Sequence, residues 1–240
     1  MHKFIYFISL TFLISCNSPT NKVLLTGNYR ATLIVQDNEK LNFIFEVANP
    51  NHLKIYNADE VIEVDEVEYR NDSIFIKMPY FEGYIAAAFD GINLRGKFIE
   101  ESRDRIVPFY ADFDVKKRFD INSNIVSNNI SGAWEVEFND NGKIYPSIGI
   151  FQQNESQVTG TFRTTTGDYR YLEGVMDGDI MKLSTFDGAH AFLFIATVKD
   201  STMNGVFYSG NHSKETFIGK RNENYELPNE DDLTFLKRRL

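Results

Sequence analysis

The sequence has very little cysteine and tryptophan and fewer basic than acidic residues. Of its 240 residues, one is cysteine and one is tryptophan. A single cysteine, Cys16, excludes an intrachain disulfide, a Cys-x-x-Cys redox pair and a thiolate zinc site. Lys and Arg together number 25 against 34 Asp and Glu, which gives a formal net charge of −9. Because phosphate binding needs clustered Lys and Arg, we predict no nucleic-acid partner.

Motifs of nucleophilic, phosphate and metal chemistry are also missing from the sequence. No G-x-S-x-G, S-x-x-K or glycine-rich phosphate loop occurs. His52, His190 and His212 have neither HxH nor HExxH spacing. The acidic run from Asp59 to Glu68 lacks the spacing of a calcium loop, and we interpret it as a solvated strand face. We therefore predict no catalytic nucleophile, no metal and no cofactor.

The N-terminus is predicted to direct the chain out of the cytoplasm. Lys3 precedes an apolar run, Phe4 to Leu13, that is too short to span a bilayer as a helix. This arrangement is typical of a signal peptide, here residues 1–15. Leu13-Ile14-Ser15-Cys16 resembles the bacterial lipobox, which implies cleavage before Cys16 and lipid attachment to its sulfur. The alternative is an ordinary signal peptide with a chance cysteine.

A lipid on Cys16 implies that the membrane is a partner of the mature chain. Two or three acyl chains hold a protein firmly, whereas one chain binds only marginally. The implied location is the cell envelope, facing the periplasm. Asn17, rather than an acidic residue, follows the cysteine, which favours the outer membrane. Residues 16–25 are predicted to form a tether that leads into the first strand.

Alternation of apolar and polar residues dominates the sequence from Gly27 onward, which is typical of half-buried β-strands. In the first such run, Tyr29 and Ala31 share one face. Turns rich in Asn, Asp and Gly separate the runs. We count about eight strands in residues 26–115 and about eight more in residues 131–224.

Two segments interrupt or end this pattern. Residues 116–130 are basic and then rich in Asn and Ser, and we predict a linker there. Residues 225–240 are predicted to be a tail with a short helix. In that helix the acidic residues 230–232 occupy the first turn and the basic residues 237–239 the last, which complements the helix dipole.

The two strand-rich halves match as a diverged repeat. Three segments of the first half align with three of the second: 27–29 with 132–134, 71–74 with 177–180, and 94–98 with 203–207. We predict an all-β fold of two tandem antiparallel units. Closed up-and-down barrels would remove exposed strand edges, and a pair of β-sandwiches is the competing architecture.

Several short phrases follow one another in the second half and in the tail. They are Gly149-Ile150-Phe151, Thr159 to Phe162, Thr166 to Gly174, Phe186 to Phe192, Phe207 to His212 and Glu226 to Asn229. Together they resemble the N-terminal accessory region of lipid-anchored TlpA-like thiol–disulfide oxidoreductases. Gly27 to Ala31 and the strand from Val64 to Arg70 fit the first part of that region, so the resemblance covers nearly the whole mature chain.

In TlpA-like proteins a thioredoxin-fold domain with a Cys-x-x-Cys pair follows this region and performs the chemistry. This sequence ends at about that point and has no cysteine after Cys16. The redox activity is therefore not carried over to this chain. The resemblance implies a thioredoxin-like domain, or another envelope protein, as a partner.

The phrase from Gly167 to Gly174 holds the first candidate binding or docking residues. If it is a regular strand, Asp168 and Arg170 share one face, and Tyr169, Tyr171 and Glu173 share the other. One interpretation is a polar, aromatic-walled pocket or a docking surface for a partner domain. The other is a hairpin turn followed by a half-buried strand with a surface ion pair, which would contribute little stability.

His190 and His212 complete the candidate set. His190 lies three residues after Asp187, and His212 lies in a later turn. If their strands are neighbours, the two imidazoles could share a polar site or a metal with Asp187. The alternative, which we prefer, is that both histidines lie at turns or at the rim of a pocket.

The sequence is compatible with three functions. The predicted one is a cell-envelope lipoprotein that acts as a binding or scaffolding β module without redox chemistry. The alternative is the N-terminal part of a TlpA-like oxidoreductase whose thioredoxin domain is missing here. A hydrolase that uses carboxylates such as Asp168 and Glu173 has the least support, because paired catalytic carboxylates need a defined separation.

Overall fold

The computed structural model describes residues 22–123 and 128–228 of the chain. Within them every regular element is a β-strand except two short 3-10 helices, Gln36–Asn38 and Glu101–Arg103, which confirms the all-β prediction. The predicted signal peptide, Cys16 and the predicted C-terminal helix lie outside the described residues. In the two described ranges, no helix is both long enough and apolar enough to cross a membrane.

Nine antiparallel strands from the first half of the chain form a barrel-like sheet, the first barrel. Its interior side chains alternate with exterior ones, as the sequence pattern predicts. Consecutive strands pair except at one point, and β1 also pairs with β9. The strands are β1 (Gly27–Ile34), β2 (Lys40–Asn49), β3 (His52–Asn57), β4 (Glu60–Val64), β5 (Val67–Arg70), β6 (Ser73–Lys77), β7 (Tyr84–Asp90), β8 (Asn93–Glu100) and β9 (Arg105–Phe113).

The exception lies between β4 and β5, which behave as one bent strand. Both run in the same direction, and only Asp65 and Glu66 separate them. β4 pairs with β3, whereas β5 pairs with β6. Counted as one, they leave eight strands around the first barrel, which is the number predicted from the sequence.

The second half forms a closed antiparallel barrel, the second barrel. Pairing of β11 with both β10 and β12 completes the ring, and the two-residue β13 adds to β12. The strands are β10 (Gly132–Asp140), β11 (Lys143–Asn154), β12 (Gln157–Thr164), β13 (Gly167–Asp168), β14 (Leu172–Asp177), β15 (Ile180–Phe186), β16 (Ala191–Lys199), β17 (Thr202–Ser209) and β18 (Ser213–Arg221). Each half is thus one curved sheet rather than a sandwich.

The two barrels share one layout, and the first strand of each carries a buried aromatic ring in the same position. Tyr29 on β1 and Trp134 on β10 are both fully buried. The Tyr29 hydroxyl accepts a hydrogen bond from the backbone N–H of Leu25 at 3.1 Å, and Trp134 Nε1 donates to the backbone oxygen of Ile130 at 2.9 Å. Each ring therefore fastens the chain four residues before it to the barrel.

Aromatic side chains fill the second barrel. The Phe138 ring lies at the centre of the cluster, with ring centroids of its neighbours 5.2 to 6.3 Å away. Those neighbours come from strands all around the barrel: Tyr145, Phe162, Tyr169, Phe194, Phe207 and Phe217. A small barrel filled in this way is a packed core rather than a ligand chamber.

A buried interface joins the two barrels. β2 packs against β15 and β16, and its residues from Leu41 to Phe45 are buried on both faces. Phe186, at the end of β15, lies among interior residues of the first barrel and belongs to that barrel's core. Burial of apolar area in this way is what two small units need for stability. The junction between the barrels is where the candidate residues gather.

Candidate functional site

A cleft of about 410 Å³ opens at the junction of the two barrels. We call it the inter-barrel cleft. Its size lies within the range of small-molecule sites. The lining comes from the β3–β4 turn of the first barrel and from β11, β12 and the segment around β13 of the second: Ala58, Asp59, Ile150, Gln152, Thr159, Gly160, Thr161, Asp168, Arg170 and Tyr171. Three of the residues predicted from the sequence are therefore brought together here.

The floor of the cleft is the outer face of two paired strands. Ile150 on β11 lies opposite Thr161 on β12, and Gln152 lies opposite Thr159. Because side chains alternate along a strand, these four point outward while their neighbours, such as Phe151, fill the barrel. The floor is thus formed by one aliphatic and three polar side chains.

The wall of the cleft is formed at a break in the fourth strand of the second barrel. Residues 169–171 separate β13 from β14, and Arg170 has a left-handed backbone with φ of +66°. The Asp168 carboxylate accepts a hydrogen bond from the Arg170 backbone N–H at 3.0 Å, which stabilises this turn. Breaks of this kind re-aim side chains next to functional sites.

The prediction that Tyr169 and Tyr171 share one strand face is wrong, because the break reverses the alternation. Tyr171 stays in the cleft with 52 % of its surface exposed. Tyr169 turns into the second barrel, where its hydroxyl lies 2.7 Å from the hydroxyl of Tyr145. Burial raises the pKa of Tyr169 to about 12, although the hydrogen bond with Tyr145 acts in the opposite direction. Tyr169 is therefore a core residue.

Arg170 joins the two barrels instead of forming a surface ion pair with Asp168. Its Nη2 donates to Glu60 Oε1 of the first barrel at 2.5 Å. Its Nε lies 3.2 Å from Asp187 Oδ2 of the second barrel. A guanidinium can face two carboxylates at once because its donors form a planar fork. The positive charge of Arg170 is therefore already balanced by the carboxylates of Glu60 and Asp187.

Asp187 is a nearly fully buried carboxylate at this junction, with 1 % of its surface exposed. Its Oδ1 accepts hydrogen bonds from the backbone N–H groups of Ala189 and His190, at 2.9 and 2.7 Å. Its Oδ2 lies 2.9 Å from His190 Nδ1. Burial acts to raise the pKa of Asp187, but these hydrogen bonds outweigh it and hold the pKa below its ordinary value.

His190 lies against Asp187, which is one part of the polar site that the sequence offered as the less favoured interpretation. Its ring also packs against Phe81 of the first barrel, with ring centroids 6.0 Å apart. His212 lies at another part of the interface, next to Asn211, whose side-chain amide donates to the Ile106 backbone oxygen at 2.9 Å. Burial, together with the charges of nearby arginines, lowers the pKa of His212.

The two histidines do not form a shared site. In the part of the chain that the structure describes, no three His, Cys, Asp or Glu side chains are grouped in a way that could hold a metal ion. His212 Nε2 instead lies 3.4 Å from the Ser209 hydroxyl. The structure thus separates the candidates into cleft residues, interface residues and one barrel-core residue.

Glu173 belongs to the interface and pairs with Arg118, a residue that no sequence motif marks as a candidate. Arg118 Nη2 donates to Glu173 Oε2 at 2.9 Å, and the backbone N–H of Ala58 donates to the same oxygen at 3.0 Å. Arg118 also donates to the backbone oxygens of Asn42 and Tyr56. Burial lowers the pKa of Arg118, and the Glu173 charge opposes that effect. A carboxylate engaged in this way is poorly suited to acid–base catalysis.

Asn57 is the second interface residue without a signal in the sequence. Its side-chain amide donates to the Phe186 backbone oxygen at 2.9 Å and accepts from the Phe186 N–H at 3.1 Å. The Asn57 side chain thus makes the two backbone hydrogen bonds to Phe186 that a paired strand residue would make, and these bonds link the two barrels. Arg118 follows two exposed lysines, and Asn57 starts a turn, so neither carries a sequence signal that separates it from ordinary surface residues.

No protein-family model, no curated protein and no solved structure matches the chain. Its function is therefore inferred from the arrangement of its residues. It offers a polar cleft with an exposed aromatic ring, supported by a rigid set of contacts between two barrels.

Proposed function

We propose that this protein is a cell-envelope lipoprotein that binds a ligand in the inter-barrel cleft and has no redox chemistry of its own. The observation that carries the proposal is the contrast between the barrels and their junction. Aromatic rings fill the second barrel, whereas the cleft is open and lined by polar groups from both barrels. Ligand sites commonly lie where two units meet.

The rigidity of the junction supports this function. Asp168 and Arg170, which shape the cleft wall, are each held by hydrogen bonds or ion pairs, and Arg170 contacts both barrels. A binding site held in this way loses little conformational entropy when a ligand arrives. The predicted lipid on Cys16 and the tether that follows it would present the cleft to the periplasm.

A thermal-shift screen of the purified full-length chain tests the binding function. The panel contains amino acids, short peptides, nucleotides, fatty acids, and neutral and acidic saccharides. We expect at least one class to raise the melting temperature, because a ligand that binds only the native state stabilises it. The shift should disappear in Tyr171→Ala and persist in Tyr80→Ala, whose tyrosine is 79 % exposed outside the cleft. No shift with any class would contradict the proposal.

Lipid attachment needs its own experiment. Cells that express the chain are fed labelled palmitate, and the envelope is fractionated. We expect label on the wild-type chain, with the protein in the membrane fraction. We expect neither for Cys16→Ser, because the thioether to the lipid cannot form. Label on the Cys16→Ser variant would disprove the lipobox interpretation.

A second candidate function is the accessory region of a TlpA-like thiol–disulfide oxidoreductase. The observation that favours it is that the phrase from Gly167 to Gly174, which carries much of the resemblance, lies at the cleft and the interface through Arg170 and Glu173. The chain should then bind a purified TlpA-like thioredoxin domain in a sedimentation experiment. Under both functions it should give no turnover in an insulin-reduction assay.

A further inference from the structure

Tyr171 offers an unoccupied aromatic surface at the rim of the inter-barrel cleft. Just over half of its surface is exposed, and its ring makes no stacking contact with another ring among the described residues. The other cleft residues come from strands and turns that are fixed by pairing or by ion pairs. A ring presented in this way is suited to cover a flat, weakly polar surface such as the C–H face of a sugar ring.

Polar groups in the cleft match a ligand that carries many hydroxyls. The side chains of Asp59, Gln152 and Thr159 make no hydrogen bond or ion pair within the described ranges. The Asp168 carboxylate uses only Oδ1 for the Arg170 backbone, so Oδ2 is available. Together these groups supply both donors and acceptors, which hydroxyl groups require. Ile150 and Ala58 are the only aliphatic side chains of the lining.

The charge of the cleft selects against acidic ligands. Arg170 is its only basic residue, and that guanidinium already faces Glu60 and Asp187. Asp59 and Asp168 add two carboxylates to the lining. An anionic group placed among these carboxylates would be repelled, and its charge would lose water without gaining a counter-charge.

From these three observations we propose that the inter-barrel cleft binds a neutral saccharide, with the Tyr171 ring against one face of a sugar residue. Asp168, Gln152 and Thr159 would hydrogen-bond to its hydroxyls. This inference rests on the proposed binding function and names the chemical class of the ligand.

Calorimetric titration of the full-length chain in detergent tests the inference directly. The probes are oligosaccharides of glucose and of N-acetylglucosamine, with oligogalacturonate as the acidic comparison. We expect at least one neutral series to bind and oligogalacturonate not to bind. Tyr171→Ala should weaken that binding about tenfold or more, and Tyr171→Phe should retain it, because the ring and not the hydroxyl provides the contact.

Two controls distinguish loss of the proposed contact from a folding defect. Tyr80→Ala removes an exposed tyrosine outside the cleft and should leave saccharide affinity unchanged, and circular dichroism checks that each variant folds. Absence of binding by every neutral oligosaccharide, or binding that Tyr171→Ala does not change, overturns the inference. If the thermal-shift screen finds a ligand of another class that requires Tyr171, the binding function stands and only the saccharide assignment fails.

Discussion

Phe186 of the second barrel stacks on Phe43 inside the first, with ring centroids 4.3 Å apart. The same ring meets Phe98 edge to face at 5.0 Å. The strand that carries Phe186 begins in one barrel, and its last residue completes the core of the other. A side chain of the second barrel is therefore part of the first barrel's core, and it helps to hold the junction at which the cleft lies.

We expect Phe186→Ala to lower the free energy of unfolding by about 3–5 kcal/mol, because a fully buried ring is replaced by a cavity. Urea denaturation measures this loss. Ile218→Ala, at a side chain that is 54 % exposed on the second barrel, is the control and should change stability by about 0.5 kcal/mol or less. Equal effects of the two substitutions would show that Phe186 does not join the barrels.

Arg118→Ala should destabilise the protein by about 3 kcal/mol or more, because it removes the buried positive charge that faces the Glu173 carboxylate and the hydrogen bonds to the Asn42 and Tyr56 carbonyl groups. Lys117→Ala, in the neighbouring exposed position, should have almost no effect. A double-mutant cycle with Glu173→Gln isolates the ion pair, since Arg118→Ala should cost less once the carboxylate is gone. Additive effects would contradict a direct pairing.

Gly83 is needed where the barrels meet, because a Cβ atom there would lie 2.4 Å from the backbone oxygen of Gly188. We expect Gly83→Ala to cost about 1–3 kcal/mol through overpacking. Glu82→Ala, one residue earlier and exposed, should be nearly neutral. Thermal unfolding of both variants provides the comparison. A fully stable Gly83→Ala variant would mean that the loops carrying Gly83 and Gly188 move apart at little energetic cost.

The acid sensitivity of the protein should depend in part on Asp187. Its folded-state pKa lies below the ordinary value, so its contribution to stability is present above the unfolded pKa of about 3.9 and is lost as pH falls through the lower folded value. We therefore expect Asp187→Asn to be less stable than wild type at pH 7 and to lose less stability on acidification below pH of about 4. Parallel stability–pH curves would contradict this assignment.

Much of the fold could be predicted from local patterns. Alternation of apolar and polar residues defined the strands, and Asn, Asp and Gly marked the turns, because both reflect the pleat and backbone preferences of single strands. The sequence also indicates Asp168, Arg170 and Tyr171 as candidates, and these three residues line one cleft. The face of Tyr169 could not be predicted, since a strand break such as the one at Arg170 has no reliable local signal.

Sequence alone thus determined the all-β class, two units of about eight strands and the acidic, cysteine-poor chemistry, because composition and short-range periodicity are written in neighbouring residues. Tertiary structure alone decided that Arg118 and Asn57 join the barrels, that Phe186 belongs to the core of the first one, and that Asp59 and Tyr171 line one cleft. These partners are far apart in the chain, and their proximity depends on how two curved sheets pack. Local preferences of the backbone therefore cannot predict these contacts.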